Sequence, residues 1–158
     1  MQLTEKQFRD ALGQFTTGVS IVTAAPEGFE PVGVTVNSFT SVSIEPPLIL
    51  WCLKVDSVVF PVFKAAQHFS VNILADNQRE LSERHADKTR HTLETGSYQT
   101  AASGSPVLNN AICSLNCSVW SRYDGGDHVI ILGEIEDITA NPGEPLVFFR
   151  GKYRQLST

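Results

Sequence analysis

The sequence lacks several features that would place it in a large class of proteins. No apolar run approaches the roughly 20 residues that span a bilayer, and the first residues show no basic segment followed by an apolar core. The charge balance is acidic, with a net charge of -5, which argues against a nucleic-acid or anionic-membrane surface. We therefore expect a cytoplasmic protein whose partners are small molecules or other proteins.

Cysteine is scarce and odd in number, with only Cys52, Cys113 and Cys117 in the chain. Without a secretory signal, we expect reduced thiols rather than a disulfide framework. The spacing of Cys113 and Cys117 could suit a metal, but no second pair follows at ligand spacing, so we predict no metal site. The alternation of residues 113–120 instead predicts a half-buried strand with both thiols facing the core.

The glycine patterns of the common nucleotide-binding folds are also absent. Neither Gly-x-Gly-x-x-Gly nor Gly-x-x-x-x-Gly-Lys-Ser/Thr occurs, so any nucleotide must be bound by side chains and local turns. No Gly-x-Ser-x-Gly elbow occurs, and the adjacent Asp127 and His128 would point to opposite faces of a strand. Hydrolase chemistry is therefore set aside.

Three short helices are predicted among the elements that are present. The first begins at Thr4, which can form a capping box with Gln7, and ends at Gly13. The other two begin at Ser57 and Asn77, where each side chain can accept a hydrogen bond from the first turn.

The rest of the pattern predicts antiparallel strands within a single domain of residues 1–158. Residues 86–106 have no steady apolar spacing, and we expect an irregular excursion packed over the domain. The strand at 128–138 is apolar on both faces, which predicts a position inside a sheet or barrel, or at a subunit interface. Seven or so strands with few helices favour a mainly β fold, closed or nearly closed into a barrel. The predicted strands are 18–24, 32–41, 48–53, 69–73, 111–120, 128–138, 146–149 and 152–156.

The segment Thr-Val-Asn-Ser-Phe-Thr-Ser-Val-Ser at 35–43 is the most informative stretch of the chain. It places six small polar side chains in a pattern that otherwise predicts a strand entering the core. Each would cost about 1–3 kcal/mol if it were buried without a hydrogen-bond partner. A polyhydroxylated, phosphate-bearing ligand would satisfy them, and so would a solvated edge strand or a turn.

Histidine supplies one further candidate. His68, His85 and His91 lie near helix ends or in the irregular region, where we expect solvated imidazoles. His128 instead follows Gly-Gly-Asp and opens the most apolar strand of the chain. It is either a ligand-facing residue at the mouth of a barrel or a hydrogen-bonded histidine at a strand end.

Several blocks of sequence, in a fixed order, carry a resemblance to a known family: Phe8–Gly13, Phe15–Val19, Thr35–Ser43, Pro46–Pro47, Phe69–Leu74, Gly126–His128, Gly133–Glu134, Pro145–Leu146 and Gly151–Tyr153. Together they resemble the flavin reductase family, the short-chain NAD(P)H:flavin oxidoreductases that supply two-component monooxygenases. The resemblance implies an FMN-binding split barrel, a Greek-key antiparallel barrel with a few short helices, that forms a homodimer. It further implies reduction of FMN or FAD by NADH or NADPH, with hydride passing from nicotinamide C4 to flavin N5, for a partner flavin-dependent monooxygenase.

The same resemblance implies the residues of the site. His128 is the candidate catalytic residue, beside the nicotinamide, where it orients and hydrogen-bonds, and Tyr153 helps to shape that pocket. Ser57 suits a phosphate independently, because the start of a helix offers unpaired N–H groups. A non-catalytic flavin carrier and a substrate-specific flavoenzyme on the same barrel are the alternatives. Two residues depart from the family pattern: His85 replaces the usual aromatic residue, and Trp51 is bulkier than expected beside the implied flavin-binding residues. The implied cofactor-binding residues are Thr35, Val36, Asn37, Ser38, Ser41, Cys52, Leu53, Lys54, Ser57, His85, Ala86 and Tyr153.

Overall fold

The computed structural model describes residues 3–157 and shows a mainly β chain with three short helices. Each of these helices falls short of the length and apolar content that crossing a membrane requires. They are α1 (Glu5–Leu12), α2 (Phe60–Ala65) and α3 (Arg79–Ala86), the last preceded by a 3₁₀ turn at Asp76–Gln78. The strands are β1 (Thr17–Gly18), β2 (Ser20–Ala24), β3 (Val32–Val36), β4 (Thr40–Ser43), β5 (Leu48–Lys54), β6 (His68–Ile73), β7 (Tyr98–Thr100), β8 (Pro106–Leu108), β9 (Cys113–Gly125), β10 (His128–Ala140), β11 (Val147–Phe149) and β12 (Lys152–Arg154).

The main sheet has seven strands in the order β3-β2-β6-β9-β10-β5-β4, and every pairing is antiparallel. Its two edge strands, β3 and β4, are joined along the chain by residues 37–39 alone. That connection can reach about 14 Å, whereas a flat sheet of seven strands would be about 29 Å wide. The sheet must therefore curl until its edges approach each other. The predicted mainly β, antiparallel fold is confirmed, but within residues 3–157 no ladder joins β3 to β4, so the sheet is not closed.

The remaining strands form two small sheets. Strands β1, β11 and β12 make a three-stranded sheet, and β7 pairs with β8. The prediction that residues 86–106 are irregular is therefore only partly right, because strands of three residues are too short to show a period of two. The prediction of one strand over 32–41 is wrong, because the chain leaves the sheet after Val36 and re-enters it at the opposite edge.

The main core contains alternate residues of the sheet together with the buried face of α2. Trp51 on β5 is fully buried there, and its ring meets Phe63 and Phe69 edge-on at centroid distances of 5.0 and 5.8 Å. Cys52, the next residue on β5, points to the other face and is only half-buried, because successive side chains of a strand alternate. The bulk of Trp51 therefore fills the core rather than a ligand site.

Strand β9 is buried on both faces over its first half, which corrects the half-buried strand that its pattern predicts. Cys117 faces the core as expected, and burial raises the pKa of its thiol to about 12. On the other face Ser114 and Asn116 are also buried, at 3 and 5% exposure. The β7–β8 hairpin packs over this face, so polar side chains there need partners within the protein.

Asn72 on β6 supplies most of those partners. Its Nδ2 donates to the Ile21 carbonyl oxygen at 3.0 Å and to Thr23 Oγ1 at 3.1 Å. Its Oδ1 accepts from the Leu108 backbone N–H and from Ser114 Oγ, both at 2.9 Å. The amide therefore ties strands β2, β8 and β9 together, and its polar atoms are fully used although the side chain has no exposed surface.

The helix starts follow the predictions only in part. At α1, Thr4 and Gln7 form the predicted capping box, with the Gln7 N–H donating to Thr4 Oγ1 at 3.2 Å and the Thr4 N–H to Gln7 Oε1 at 3.0 Å. At α3 the predicted cap at Asn77 is wrong. Gln78 instead reaches back, and its Oε1 accepts a hydrogen bond from the Ala75 N–H at 2.9 Å.

Replacing Asn72 with Leu should lower the free energy of unfolding by about 3 kcal/mol, because the Leu108 N–H and the Ser114 hydroxyl would lose a buried partner. Urea denaturation measures this loss. Asn77→Leu, at an exposed position, is the control and should change stability by no more than about 0.5 kcal/mol. Equal stabilities of the two variants would show that the Asn72 network contributes little.

Candidate functional site

A cavity of about 260 Å³ opens where the β3 edge approaches the ends of β5 and β10. All of its lining residues except Val34 are candidates from the sequence. The curl of the sheet therefore collects, from three separate stretches of chain, most of the residues that the resemblance implies. They are Val34, Thr35, Val36, Asn37, Ser38, Cys52, Leu53, Lys54, Ser57 and His128.

The β9–β10 hairpin places His128 at the rim of this cavity. The hairpin turns through Gly126 and Asp127, and Gly126 has a φ of 81°, which glycine adopts without strain. His128 then lies directly opposite Lys54 in the β5–β10 ladder. The Asp127 carbonyl oxygen also accepts a hydrogen bond from the Val55 N–H at 3.0 Å, which fastens the turn to the end of β5.

Asp127 orients the imidazole of His128. The Nδ1–H of His128 donates to Asp127 Oδ1 at 2.7 Å, and this hydrogen bond holds the pKa of the Asp127 carboxyl below its ordinary value. The expectation that the two side chains point to opposite faces of a strand is wrong, because Asp127 belongs to the turn. With Nδ1 committed to the carboxylate, Nε2 is the ring nitrogen that His128 can offer to a ligand.

Several hydroxyls of the 35–43 segment are bonded within the protein rather than left for a ligand. Thr35 Oγ1 donates to the Ser82 carbonyl oxygen at 2.7 Å. Ser38 Oγ accepts from the Cys52 N–H at 3.0 Å and donates to the Cys52 carbonyl oxygen at 3.3 Å, so it bridges the segment to β5. The Ser43 hydroxyl bonds to the Pro46 carbonyl oxygen. The polar density of the segment is therefore only partly explained by a ligand.

Other side chains around the cavity keep donors for a ligand. Within residues 3–157 the Asn37 amide has no side-chain hydrogen bond, and Lys54 pairs with Asp56 at 3.0 Å, which raises the pKa of the Lys54 ammonium. Burial raises the pKa of the Cys52 thiol, so that it is neutral near pH 7. The cavity therefore presents an amide, an ammonium and an imidazole beside a neutral thiol.

Ser57 lines the cavity but does not cap α2, which corrects the prediction. The helix begins at Phe60 with Val59 as the capping residue, and Ser57 lies one turn earlier, accepting the Phe60 N–H at its carbonyl oxygen at 2.9 Å. Its Oγ accepts only a long hydrogen bond from the Val59 N–H at 3.4 Å. Its hydroxyl proton is therefore available to a ligand oxygen, although Ser57 does not lie at the start of the helix.

His85 and His91 are buried, at 2 and 9% exposure, so the expectation of solvated imidazoles is wrong for both. Their Nδ1 atoms lie 3.2 and 3.0 Å from one acceptor, the Gly33 carbonyl oxygen on the edge strand β3. Gly33 itself sits in a tight place, because a Cβ there would meet Ile21 Cγ2 at 2.9 Å and Leu93 Cδ2 at 3.2 Å. His85 therefore packs against β3 and does not line the cavity.

Three other candidates also lie outside the cavity. Ser41 is exposed on β4, opposite Ile49, and Ala86 is exposed at the end of α3. Tyr153 lines a neighbouring cavity of about 440 Å³ together with Arg79 and other residues. These candidates do not share the space that brings the other nine together.

We expect stability to fall as the pH drops below about 6.5, because burial lowers the pKa of His85 in the folded state from its ordinary value. The unfolded chain then binds a proton that folded His85 does not, so the contribution present above 6.5 is lost in acid. His85→Phe should reduce the difference in unfolding free energy between pH 7.5 and pH 5.5. His68→Gln is the control. If the His85 variant kept the wild-type difference in unfolding free energy between the two pH values, His85 would not be the source of the pH dependence.

Comparison with known proteins connects this geometry to a family. A family model described as "Flavin reductase like domain" matches residues 12–157. The chain is 40% identical, over 96% of its length and 86% of the relative, to "FMN reductase (NADH) SmoA" of Agrobacterium fabrum. It is 34% identical, over 96% of its length and 82% of the relative, to "Flavin-dependent monooxygenase, reductase subunit HsaB" of Mycobacterium tuberculosis.

A solved structure gives the same relationship in three dimensions. The NADH:FAD oxidoreductase SgcE6 of Streptomyces globisporus, in complex with NAD and FAD fragments, superposes with a TM-score of 0.90 at 36% identity. The match covers 99% of this chain and 98% of that one. This chain therefore shares its fold with a solved oxidoreductase whose structure contains NAD and FAD fragments.

Proposed function

Because this chain belongs to the flavin reductase family, we propose that it is an NADH-dependent flavin reductase. It reduces FMN or FAD and supplies the reduced flavin to a partner flavin-dependent monooxygenase. The observation that carries the proposal is the cavity itself, which gathers residues 34–38, the end of β5 and His128. Its relatives include an FMN reductase, an NADH:FAD oxidoreductase and a monooxygenase reductase subunit.

The side chains of the cavity fit a flavin. Lys54 and Ser57 can bind phosphate oxygens, and the Asn37 amide can pair with a carbonyl or a hydroxyl. A bound flavin would supply the N5 atom that accepts a hydride from nicotinamide C4, and that chemistry belongs to the cofactors. The chain's part is to hold the two rings in register, with His128 orienting the nicotinamide through Nε2 while Asp127 fixes Nδ1.

We further propose that the curled sheet is an FMN-binding split barrel, with the split at the cavity between β3 and β5. Ser38 supports this arrangement, because it bonds to the Cys52 backbone where a strand neighbour would otherwise be. The resemblance also gives binding roles to Ser41, His85, Ala86 and Tyr153. Tyr153 has the clearest structural support, because a second cavity opens beside it.

A homodimer is the assembly that we propose. Ligand pockets usually enclose about 300–1,000 Å³, so the 260 Å³ cavity of one chain would cover only part of a flavin. The outer face of the sheet next to it carries the half-buried Leu50, Ile130 and Leu132 and the exposed Tyr123. These side chains share one face, since Leu132 pairs with Leu50 and Ile130 with Tyr123. A second copy would cover this apolar face and the open side of the cavity.

NADH is the nicotinamide cofactor that the charges favour. NADPH needs a cation for its 2′-phosphate, and the three arginines between residues 79 and 90 already have a carboxylate partner. An added phosphate would have to displace that partner. These pairs are Arg79 with Glu83, Arg84 with Glu94 and Arg90 with Asp87.

Purified protein should oxidise NADH rapidly when FMN or FAD is added, and slowly without flavin, because the hydride then has no acceptor. Absorbance of the nicotinamide measures the rate, and the same assay with NADPH should give a kcat/KM at least about tenfold lower. Slow NADH oxidation with a flavin that stays bound and oxidised would instead support a flavin carrier or a substrate-specific flavoenzyme.

His128→Ala should raise the KM for NADH about tenfold and change the dissociation constant for FMN by less than about twofold, because the imidazole is placed beside the nicotinamide. Steady-state kinetics and flavin fluorescence quenching measure the two constants. His68→Ala, at a half-exposed position away from the cavity, is the control. An unaltered KM and rate in the His128 variant would remove it from the proposed site.

Leu132→Asp should convert a dimer into monomers, because a carboxylate would be buried in the proposed apolar interface. Light scattering coupled to size exclusion gives the mass of each form. Ile138→Asp, on an exposed position of the same strand, should leave the mass of the wild-type assembly unchanged. A monomeric wild type would refute the homodimer.

A further inference from the structure

Ser82, in the middle of α3, is completely buried and contacts two of the candidate ligand-binding residues. Its carbonyl oxygen accepts the hydroxyl proton of Thr35 at 2.7 Å, and its Oγ lies 2.8 Å from the Tyr153 hydroxyl. Thr35 lines the candidate flavin cavity, whereas Tyr153 lines the neighbouring cavity. One residue of α3 therefore connects the walls of both cavities.

The contact with Ser82 decides what Thr35 can offer to a ligand. A threonine hydroxyl has a single proton and two lone pairs. Because the Ser82 carbonyl oxygen accepts that proton, only lone pairs of Thr35 remain for the cavity. Thr35 can then accept a hydrogen bond from a ligand N–H or O–H, but it cannot donate one to a ligand carbonyl.

The hydrogen bond with Ser82 is one of three contacts that hold the Tyr153 side chain. The ring already packs edge-on against Phe148 at a centroid distance of 5.4 Å, and the Arg79 guanidinium lies 5.1 Å from the ring centroid. Arg79 and Ser82 are three residues apart on α3, which places them on the same side of the helix. The helix therefore fixes both the ring and the hydroxyl of Tyr153.

We infer that Ser82 is a positioning residue for the proposed reaction. Its backbone carbonyl sets the polarity of the Thr35 hydroxyl toward the flavin, and its side chain holds Tyr153 beside Arg79 in the neighbouring cavity, to which the inference assigns the nicotinamide nucleotide. A buried serine hydroxyl needs a hydrogen-bond partner, and the Tyr153 hydroxyl at 2.8 Å provides it. The inference rests on the proposed function, because it assigns Tyr153 to nicotinamide binding.

A double-mutant cycle of Ser82→Ala and Tyr153→Phe tests the inference, because each change removes one hydroxyl of the same contact. Each should raise the KM for NADH about two- to tenfold, the range expected for one hydrogen bond, with little change in kcat. The double variant should be no worse than the worse single variant. The dissociation constant for FMN should stay nearly constant in all three, since the backbone carbonyl that bonds Thr35 remains.

Thr35→Val separates the second contact, and it should raise the dissociation constant for FMN while leaving the KM for NADH nearly unchanged. Tyr98→Phe removes a hydroxyl elsewhere and is the control for the cycle. The dissociation constant for NAD⁺ in the presence of FMN reports the Ser82–Tyr153 contact without turnover.

The outcomes separate this inference from the proposed function. Suppose that the wild type binds NAD⁺ but does not oxidise NADH, and that the effects of the Ser82 and Tyr153 variants on the dissociation constant for NAD⁺ are coupled. That result would contradict the proposed function and support the role of Ser82. If the wild type is active and the effects of the two single variants on the KM for NADH simply add in the double variant, that role is overturned. Variants that lose thermal stability without any change in KM or in NAD⁺ binding would overturn it as well.

Discussion

The three-residue connection between β3 and β4 is the constraint on which the rest of the structure depends. It joins the two edges of a seven-stranded sheet and forces the sheet to curl. Because β3 approaches β5 without forming a ladder with it, a gap remains, and Ser38 spans that gap through two hydrogen bonds to the Cys52 backbone. The cavity is the rest of the gap, so the fold and the site have the same origin.

The polarity of the cavity results from which groups the protein has already paired. Thr35 and Ser38 donate their hydroxyl protons to backbone carbonyl oxygens, so these two hydroxyls can only accept hydrogen bonds from a ligand. The opposite rim carries the ammonium of Lys54 and the imidazole of His128, each beside a carboxylate. An anionic ligand that approaches this rim must compete with Asp56 and Asp127, which favours a ligand that also fills the rest of the cavity over a bare phosphate ion.

Local signals in the sequence predicted local structure well. The capping box at Thr4 needs only four residues of sequence, and the position of His128 at the start of β10 follows from the glycines before it. The resemblance, which uses the order of whole blocks, predicted nine residues of the cavity. Contacts between distant segments could not be predicted from either source. The Ser82–Tyr153 hydrogen bond joins residues 71 positions apart, and neither side chain has a local signal.

Errors occurred where tertiary contacts overrule a local preference. His85 and His91 were expected in water by residue type, but an edge strand left the Gly33 carbonyl oxygen to be satisfied, and both rings cover it. Ser57 has the usual chemistry of a helix cap, yet the chain makes one more turn before α2 begins at Phe60. Asp127 and His128 were expected to point to opposite faces of a strand, but the tight turn at Gly126 brings the Asp127 carboxylate to the His128 ring.

The separation along the chain of the cavity walls has a consequence for how the protein matures. Strands β4 and β5 form a local hairpin, but His128 joins them only through the long-range pairing of β10 with β5. Contacts of such high sequence separation carry a large loop-closure cost, and a chain in which β10 has not paired with β5 has no complete cavity. A nucleotide that binds only the finished cavity therefore stabilises the native state by mass action. The supply of flavin in the cell would then influence how much of the newly made chain reaches the native state, in addition to the rate at which the folded protein oxidises NADH.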